Sequence, residues 1–257
     1  MKEGQGVRCQ VKSSAISPFI HHSPIAICHL VLNFLPLTFM LSSSDSVVYQ
    51  GQFGDFTILE RDRREVIFYR GGLMVAAVCF AIATGLILGR GNDITSLHWV
   101  SGLYSIFCVG LGVSLWMIHI YLKPLHRALQ VFWLVGVVAS VAIAHDSPEP
   151  FALTVYTAPL TILGVGFIFA ALTGIFFKEA VCFNRLEAKV LTLLVPLLLL
   201  GHLFGWLTPT VEQGLLVSWA IFFGLFAFRK VIQPIPPDIG DKSVFAYLKS
   251  GGQEQSL

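Results

Sequence analysis

Charged side chains are scarce in this sequence. Asp, Glu, Lys and Arg make up 12% of its 257 residues, against about 25% in soluble domains. Hydrophobic residues make up 55%, and the mean hydropathy is +0.74. This composition excludes a disordered chain, a coiled coil and a nucleic-acid-binding domain, and it indicates an integral membrane protein.

Recognisable catalytic and metal-binding motifs are also missing. The five cysteines have no C-x-x-C or paired spacing, so they signal neither a zinc site nor a disulfide framework. There is no nucleophile elbow, Walker A motif, H-E-x-x-H or G-x-G-x-x-G before a helix. Carboxylates, the usual proton-relay groups of membrane proteins, are absent from the apolar stretches. We therefore predict that the protein is not an enzyme, and an ion-coupled pump is not indicated.

Long apolar runs are what the sequence does contain. A helix needs about 20 apolar residues to cross a bilayer core of about 30 Å. Six runs approach this length, and none of them contains Asp, Glu, Lys or Arg. They cover residues 71–89, 98–122, 128–144, 157–177, 190–207 and 214–228. The sequence thus predicts an all-α, polytopic transmembrane helical bundle of six spans.

Basic residues are distributed very unevenly around these spans. After residue 39, thirteen Lys and Arg residues fall on one side of the predicted membrane, and Arg90 alone falls on the other. The positive-inside rule then predicts that both termini lie on the cytoplasmic side. We expect a multi-pass protein of a plasma or thylakoid membrane.

The chain outside the spans divides into three parts. Residues 1–39 are either an N-terminal extension, with translation starting at Met40 instead of Met1, or an extra hydrophobic segment at 25–40. Residues 40–70 are predicted to form a cytoplasmic N-terminal segment with an interfacial helix, and 47–58 within it a short strand pair or an extended segment. Residues 71–228 form the six-span domain. Residues 229–257 form a cytoplasmic Pro-rich tail with a short helix.

Three segments occur in an order that carries a family resemblance. They read Y-Q-G-Q-F-G-D-F at 49–56, F-F-K-E-A-V-C-F-N-R at 176–185 and Q-P-I-P-P-D-I-G-D-K at 233–242. In these segments the chain resembles an uncharacterised integral-membrane family, a domain of unknown function found mainly in cyanobacteria. The similarity covers residues 47–249. It implies an architecture and a membrane location, and no catalytic residues.

The most distinctive residues lie at one aqueous face, in the loop 178–189 and in the tail. We interpret them as a loop and tail that dock a partner protein. The predicted docking residues are Glu179, Cys182, Asn184, Arg185, Pro234, Pro236, Pro237 and Asp238. The leading hypothesis is therefore that the protein is a non-enzymatic accessory, scaffold or assembly component of a membrane. A photosynthetic membrane is one candidate for that membrane.

Small residues recur every four positions on two predicted spans. Ala77, Ala81, Gly85 and Gly89 do so on the first span, and Gly166, Ala170 and Gly174 on the fourth. Such rows let helix backbones approach closely in lipid. We interpret them mainly as packing within the bundle, with a homodimer or a membrane-protein partner as the alternative.

Two further functions remain open. His98, His145 and His202 are predicted at the outer level of the membrane, where they could bind haem or a pigment, although no cofactor is signalled by a motif. The other alternative is a carrier or channel for a small solute. That function requires Ser105, Ser114, Thr161, Thr173 and His202 to face one cavity.

Overall fold

Six long helices dominate the computed structural model, which describes residues 47–91 and 93–249. They are α1 (Glu60–Arg90), α2 (Ile94–Met117), α3 (Lys123–Asp146), α5 (Ile162–Phe183), α6 (Leu186–Leu203) and α7 (Pro209–Ile232), with the short helix α4 (Phe151–Thr157) and a 3-10 turn (Pro159–Thr161) before α5. All six are long and apolar enough to cross a membrane. The predicted six-span α-helical bundle is confirmed. The predicted hydrophobic segment at 25–40 and the extension 1–39 lie outside the described residues.

Local sequence signals set several helix ends. The side chain of Asp93 accepts a hydrogen bond from the backbone N–H of Ser96 at 3.1 Å and caps α2. Proline stands in the first turn of α3 and of α7, where its missing N–H costs nothing. Asn184 adopts a left-handed conformation, with φ of 52°, and ends α5.

Two connections differ from the sequence-based expectation. Helix α2 stops at Met117, short of residue 122, and the carbonyl left free at Leu115 accepts a hydrogen bond from His126 Nε2 at 2.7 Å. The loop predicted at 178–189 is mostly helical, because α5 continues to Phe183 and α6 begins at Leu186. Backbone hydrogen bonds at a membrane boundary are most readily satisfied within a helix, so α5 and α6 extend past their apolar stretches.

The bundle is held together by a core of large aromatic side chains. Phe176 packs edge-on against Phe223 and Phe226, with ring centroids 5.4 and 5.2 Å apart. All three are fully buried. Edge-to-face contacts of this kind stabilise by about 0.5–1.5 kcal/mol each beyond the burial of their area. The aromatic core thus joins α5 to α7.

Glycines allow α1 and α2 to approach each other closely. A Cβ atom built on Gly110 would lie 2.8 Å from the carbonyl oxygen of Gly72. The Ser114 hydroxyl donates to the Tyr69 carbonyl at 3.0 Å and joins the same two helices. This contact is the small-residue packing expected in lipid, at positions outside the predicted rows.

The predicted small-residue rows lie partly inside the bundle and partly on its outer surface. Ala77 is buried and a Cβ on Gly174 would press on Leu129, so these positions pack inside the bundle. Ala81, Gly85 and Gly89 are exposed, and a Cβ on either glycine would meet no atom within 4 Å. The second half of the α1 row therefore faces outward.

The two ends of the described chain meet in a small cap. Strands β1 (Val48–Gly51) and β2 (Gly54–Thr57) form an antiparallel hairpin, which is the strand pair that the sequence allowed. The C-terminal helix α9 (Lys242–Lys249) lies against it, with the rings of Phe53 and Tyr247 stacked at 3.9 Å. We call β1, β2 and α9 the terminal cap.

Candidate functional site

A buried charge cluster lies at one end of the bundle, just before the apolar stretch of α1 and just after those of α5 and α7. We call this end of the bundle the basic end. The members of the cluster are Arg70 on α1, Lys178 and Glu179 on α5, Lys230 on α7 and Asp238 on the short helix α8 (Pro236–Ile239). Their side chains are between 0% and 10% exposed. Charged side chains are rarely this buried unless they are paired.

Glu179 is the acceptor at the centre of the cluster. Its Oε2 lies 2.7 Å from Lys230 Nζ, and its Oε1 lies 2.9 Å from Lys178 Nζ. The Tyr69 hydroxyl also donates to Oε1 at 3.1 Å. A single carboxylate therefore ties α1, α5 and α7 together.

Asp238 is the second buried carboxylate, and it comes from the tail. Its Oδ2 accepts hydrogen bonds from Arg70 Nη2 at 2.6 Å and Arg70 Nε at 2.9 Å, a two-point contact. Its Oδ1 pairs with Lys230. The Pro-rich tail is thus fixed to the bundle interior through this residue.

Arg70 also binds the backbone that follows α7. Its guanidinium donates to the carbonyl oxygens of Gln233 at 2.5 Å and Pro234 at 2.9 Å. Prolines at 234 and 236 prevent the helix from continuing, which leaves carbonyls at the end of α7 without helical partners. The guanidinium N–H groups of Arg70 supply those partners.

A second group of charges extends the cluster along α6. The carboxylate of Glu187 is 3% exposed and accepts from Arg229 Nη1 at 3.0 Å. Arg185 Nη1 faces the same carboxylate at 3.7 Å, and its Nη2 donates to Gln233 Oε1 at 2.6 Å. Gln233 in turn donates to Asp238 Oδ1 at 3.4 Å. The two groups therefore form one continuous network.

The network holds helices together through its two central carboxylates, Glu179 and Asp238. Replacing one partner of a buried pair is strongly destabilising, at about 3–5 kcal/mol, because the other charge is left unpaired. Both Glu179 oxygens and both Asp238 oxygens already have partners among the described residues. The cluster therefore attaches the tail to the spanning helices.

A smaller group of ligand atoms lies beside the terminal cap. Asp62, Glu65 and His119 bring ligand atoms within 4.8 Å of one another, and in the described part of the chain no other such group of three is present. Asp62 Oδ2 already accepts from Lys242 Nζ at 2.8 Å and from the Leu59 N–H at 2.8 Å. One of the three candidate ligands is therefore already paired with a cation of the protein itself.

His119 lies in the α2–α3 connection, outside the spanning helices. Its Nε2 is 3.2 Å from Glu65 Oε2, and its side chain is 17% exposed. Burial lowers the pKa of this imidazole below its usual value near 6.5, and the opposing effect of the Glu65 carboxylate is smaller. The ring is thus favoured in its neutral form.

The predicted docking residues separate into two sets. Glu179 and Asp238 are buried in the charge cluster, and Arg185 is half-buried and donates to Gln233. The exposed members are Cys182, Asn184, Pro234 and Pro237, while Pro236 begins α8 and is half-buried. Docking itself stays a prediction, and only the exposed set is available for it.

The three predicted cofactor histidines occupy the other end of the bundle. His98 and His145 are exposed. His202 is bound to protein groups, with Nδ1 2.7 Å from Glu212 Oε1 and Nε2 3.1 Å from the Tyr156 carbonyl. None of the three belongs to a group of three ligand atoms within the described residues. A cofactor at this end stays a prediction.

The polar residues required by a carrier are hydrogen-bonded within the bundle. The hydroxyls of Ser105 and Thr173 donate to the carbonyls of Ser101 and Phe169, four residues back on their own helices. Those of Thr161 and Ser114 likewise donate to backbone carbonyls. None of these residues lines the cleft bordered by α1, α2, α5 and α7, and a carrier function stays a prediction.

The sequence analysis missed Tyr69, Arg70, Lys178 and Lys230. Each stands within a few residues of the end of an apolar stretch, where a charge is usually solvated. The available signal was Asp238, an acid that directly follows two prolines.

A protein-family model described as "Uncharacterized integral membrane protein (DUF2301)" matches residues 113–247, more than half of the chain. The chain belongs to this family. The predicted family and multi-pass membrane location are confirmed, and contact with the lipid bilayer follows. The DUF2301 match includes two of the three segments of the resemblance and much of the charge cluster, with Glu179, Lys230 and Asp238. No match to the chain was found among curated proteins or solved structures.

Proposed function

We propose that this membrane protein is a non-enzymatic accessory or scaffold component that docks a partner membrane protein on the basic end of its bundle. The positive-inside rule assigns that end to the cytoplasmic side. The observation that carries the proposal is the attachment of the tail by Asp238 to Arg70 and Lys230. A tail fixed in this way offers a partner a preformed surface.

Hydrogen bonds join the hairpin of the terminal cap to the start of α9, and the ion pair of Lys242 Nζ with Asp62 Oδ2 at 2.8 Å joins the cap to α1. Gln52 N–H donates to Asp241 Oδ2 at 2.6 Å, and Lys242 Nζ donates to the Thr57 carbonyl at 3.1 Å. Preorganised surfaces bind more tightly because less conformational freedom is lost on association. The cap therefore supports docking by a rigid surface.

The chemistry of this surface favours a partner segment that is acidic and partly apolar. The exposed cations at the basic end include Arg64, Lys123, Arg127 and Lys189. The cap adds exposed apolar side chains outside the spans, with Val48 58% and Leu248 53% exposed. Complementary charge accelerates association, and apolar contacts at the centre of an interface supply most of the affinity.

The outward half of the α1 row supports a contact within the bilayer. Ala81, Gly85 and Gly89 present almost no side chain to the lipid. A helix of the partner, or of a second copy of this chain, could approach the backbone closely there. This contact would add to docking at the basic end.

Site-specific photo-crosslinking in native membranes tests the proposal. A photoreactive amino acid at Val48 or Leu248 should give one reproducible protein adduct. The same residue at Leu160, which is 75% exposed at the other end, should not. Deleting the tail is a weaker test, because it would leave Arg70 and Lys230 buried without Asp238.

Charge-reversal variants test the contribution of the exposed cations, with a matched control at the opposite end of the bundle. Arg127→Glu with Lys189→Glu should reduce the adduct at least fivefold, and Arg90→Glu at the opposite end should leave it unchanged. A Val48 probe that reacts only with lipid, or gives no adduct, would contradict the proposal.

A further inference from the structure

An open cleft lies in the half of the bundle away from the charge cluster. It has a volume of about 120 Å³ and is bordered by α1, α2, α5 and α7. Thr84 on its wall is 14 residues along α1 from Arg70, which is about 20 Å at the rise of an α-helix. The cleft and the buried charges are therefore separate features.

Aromatic rings give the cleft rigid walls. Phe80, Tyr104, Phe107 and Phe169 all line it. Phe107 contacts Phe169 at 5.8 Å and Tyr104 at 6.2 Å between ring centroids, and Phe80 lies 4.5 Å from Trp219 behind the wall. The lining is almost wholly apolar. For comparison, an engineered enclosed cavity of about 150 Å³ with an apolar lining binds benzene.

The hydroxyl of Thr84 on the wall has no hydrogen-bond partner among the described residues. Thr84 is 5% exposed and lines the cleft, and its hydroxyl makes no hydrogen bond to any other described residue. Other threonines in these helices donate to the carbonyl four residues back, as Thr173 does at 2.7 Å and Thr192 at 2.8 Å. Leaving a hydroxyl unpaired in apolar surroundings is costly.

The second hydroxyl near the cleft is already engaged. The Tyr104 oxygen lies 2.8 Å from Ser140 Oγ on α3. Thr84 is therefore the group on the wall that is free to bind a ligand oxygen. Size, apolar lining and a single hydrogen-bonding position together define what fits.

We propose that this cleft binds an uncharged lipophilic molecule that inserts one ring or a short hydrocarbon segment and accepts a hydrogen bond from Thr84 through a carbonyl oxygen. The ligand comes either from the bilayer, as the ester carbonyl of a lipid chain, or from a free lipophile dissolved in it. The cleft requires no protein partner, so this inference is independent of the proposed docking function.

Quenching of Trp219 provides a direct test. The full chain, with its other four tryptophans replaced by Phe, is placed in lipid nanodiscs and titrated with 4-bromoacetophenone. This probe has one ring, one carbonyl and a bromine that quenches nearby indoles. We expect saturable quenching of Trp219. Quenching that rises linearly with the probe, without saturation, would overturn the proposal.

Three variants locate the site. Ala83→Phe fills the cleft and should abolish the saturable phase, whereas Ala81→Phe on the exposed face of the same helix should keep it. Thr84→Val removes the hydroxyl with little change in shape. It should weaken 4-bromoacetophenone about fivefold, the size of one hydrogen bond, and leave 4-bromotoluene unchanged.

The lipid of the nanodisc distinguishes the two sources. If ester carbonyls of the bilayer occupy the cleft, the probe should bind more tightly in ether-lipid nanodiscs, which lack them. If a free lipophile is the ligand, the affinity should be the same in both lipids. Equal affinity of the ketone for the wild-type chain and Thr84→Val would overturn the assignment, whether or not Ala83→Phe folds.

Discussion

Asp238 and Arg70 are separated by 168 positions in the sequence, yet Asp238 Oδ2 accepts a hydrogen bond from Arg70 Nη2 at 2.6 Å. This contact joins the tail to the first spanning helix. The same carboxylate pairs with Lys230 at the end of the last spanning helix. The two ends of the membrane domain are therefore linked through one buried acid.

Removing that acid should destabilise the fold strongly. Asp238→Asn leaves Arg70 without its carboxylate and Lys230 with Glu179 alone, and we expect a loss of about 3–5 kcal/mol in the free energy of unfolding. Thermal unfolding in nanodiscs, followed by tryptophan fluorescence, measures it. Asp55→Asn on the exposed hairpin is the matched control and should change stability by less than about 0.5 kcal/mol. Equal melting temperatures for the two variants would refute the stabilising role of the Asp238 contacts.

Two glycine substitutions should have opposite effects. A Cβ at Gly110 would lie 2.8 Å from the Gly72 carbonyl oxygen, so Gly110→Ala should push α1 and α2 apart and cost about 1–3 kcal/mol. Gly85 has open space, so Gly85→Ala should stabilise the helix by up to about 1 kcal/mol. The same unfolding assay compares them. A more stable Gly110→Ala variant would contradict the close helix contact.

The turn between α5 and α6 should tolerate glycine but reject a β-branched residue. Asn184 has φ of 52°, a conformation that costs most L-residues about 1–2 kcal/mol. We expect Asn184→Val to lower stability by about that amount and Asn184→Gly to be close to neutral. Melting temperatures of the two variants provide the check, and a neutral Val variant would show that the turn is not left-handed.

Stability should fall in mild acid because of His119. Burial lowers the pKa of His119 in the folded chain below 6.5, with Glu65 and Asp62 opposing that shift and Lys178 and Lys242 adding to it. The unfolded chain therefore binds the proton more readily, and the folded state loses stability as the pH falls through about 6.5.

The variant His119→Gln isolates this effect. Its stability relative to the wild-type chain should rise between pH 7.5 and pH 5.5, and the difference should be constant above pH 7.5. Melting curves at a series of pH values measure it. A wild-type chain that gains stability over the variant on acidification would show that the Glu65 contact outweighs burial.

Several features of the fold could be predicted from local sequence. The six spans follow from runs of apolar residues, because a helix in lipid satisfies its backbone within itself. The predicted boundaries were less accurate, since α5 continues through Lys178 and Glu179 into what was interpreted as a loop. A charge next to an apolar run looks the same in sequence whether it faces water or a buried partner.

The sequence by itself determined the class of protein, the number of spans and the concentration of basic residues at one end, because these depend on composition and on short-range periodicity. Only the tertiary structure decided which of those charges are buried together, that the tail is attached to the bundle by Asp238, and that Thr84 faces an apolar cleft without a partner. Those features depend on helices far apart in the chain meeting at particular rotations. Local sequence does not encode which face of a uniformly apolar helix turns inward.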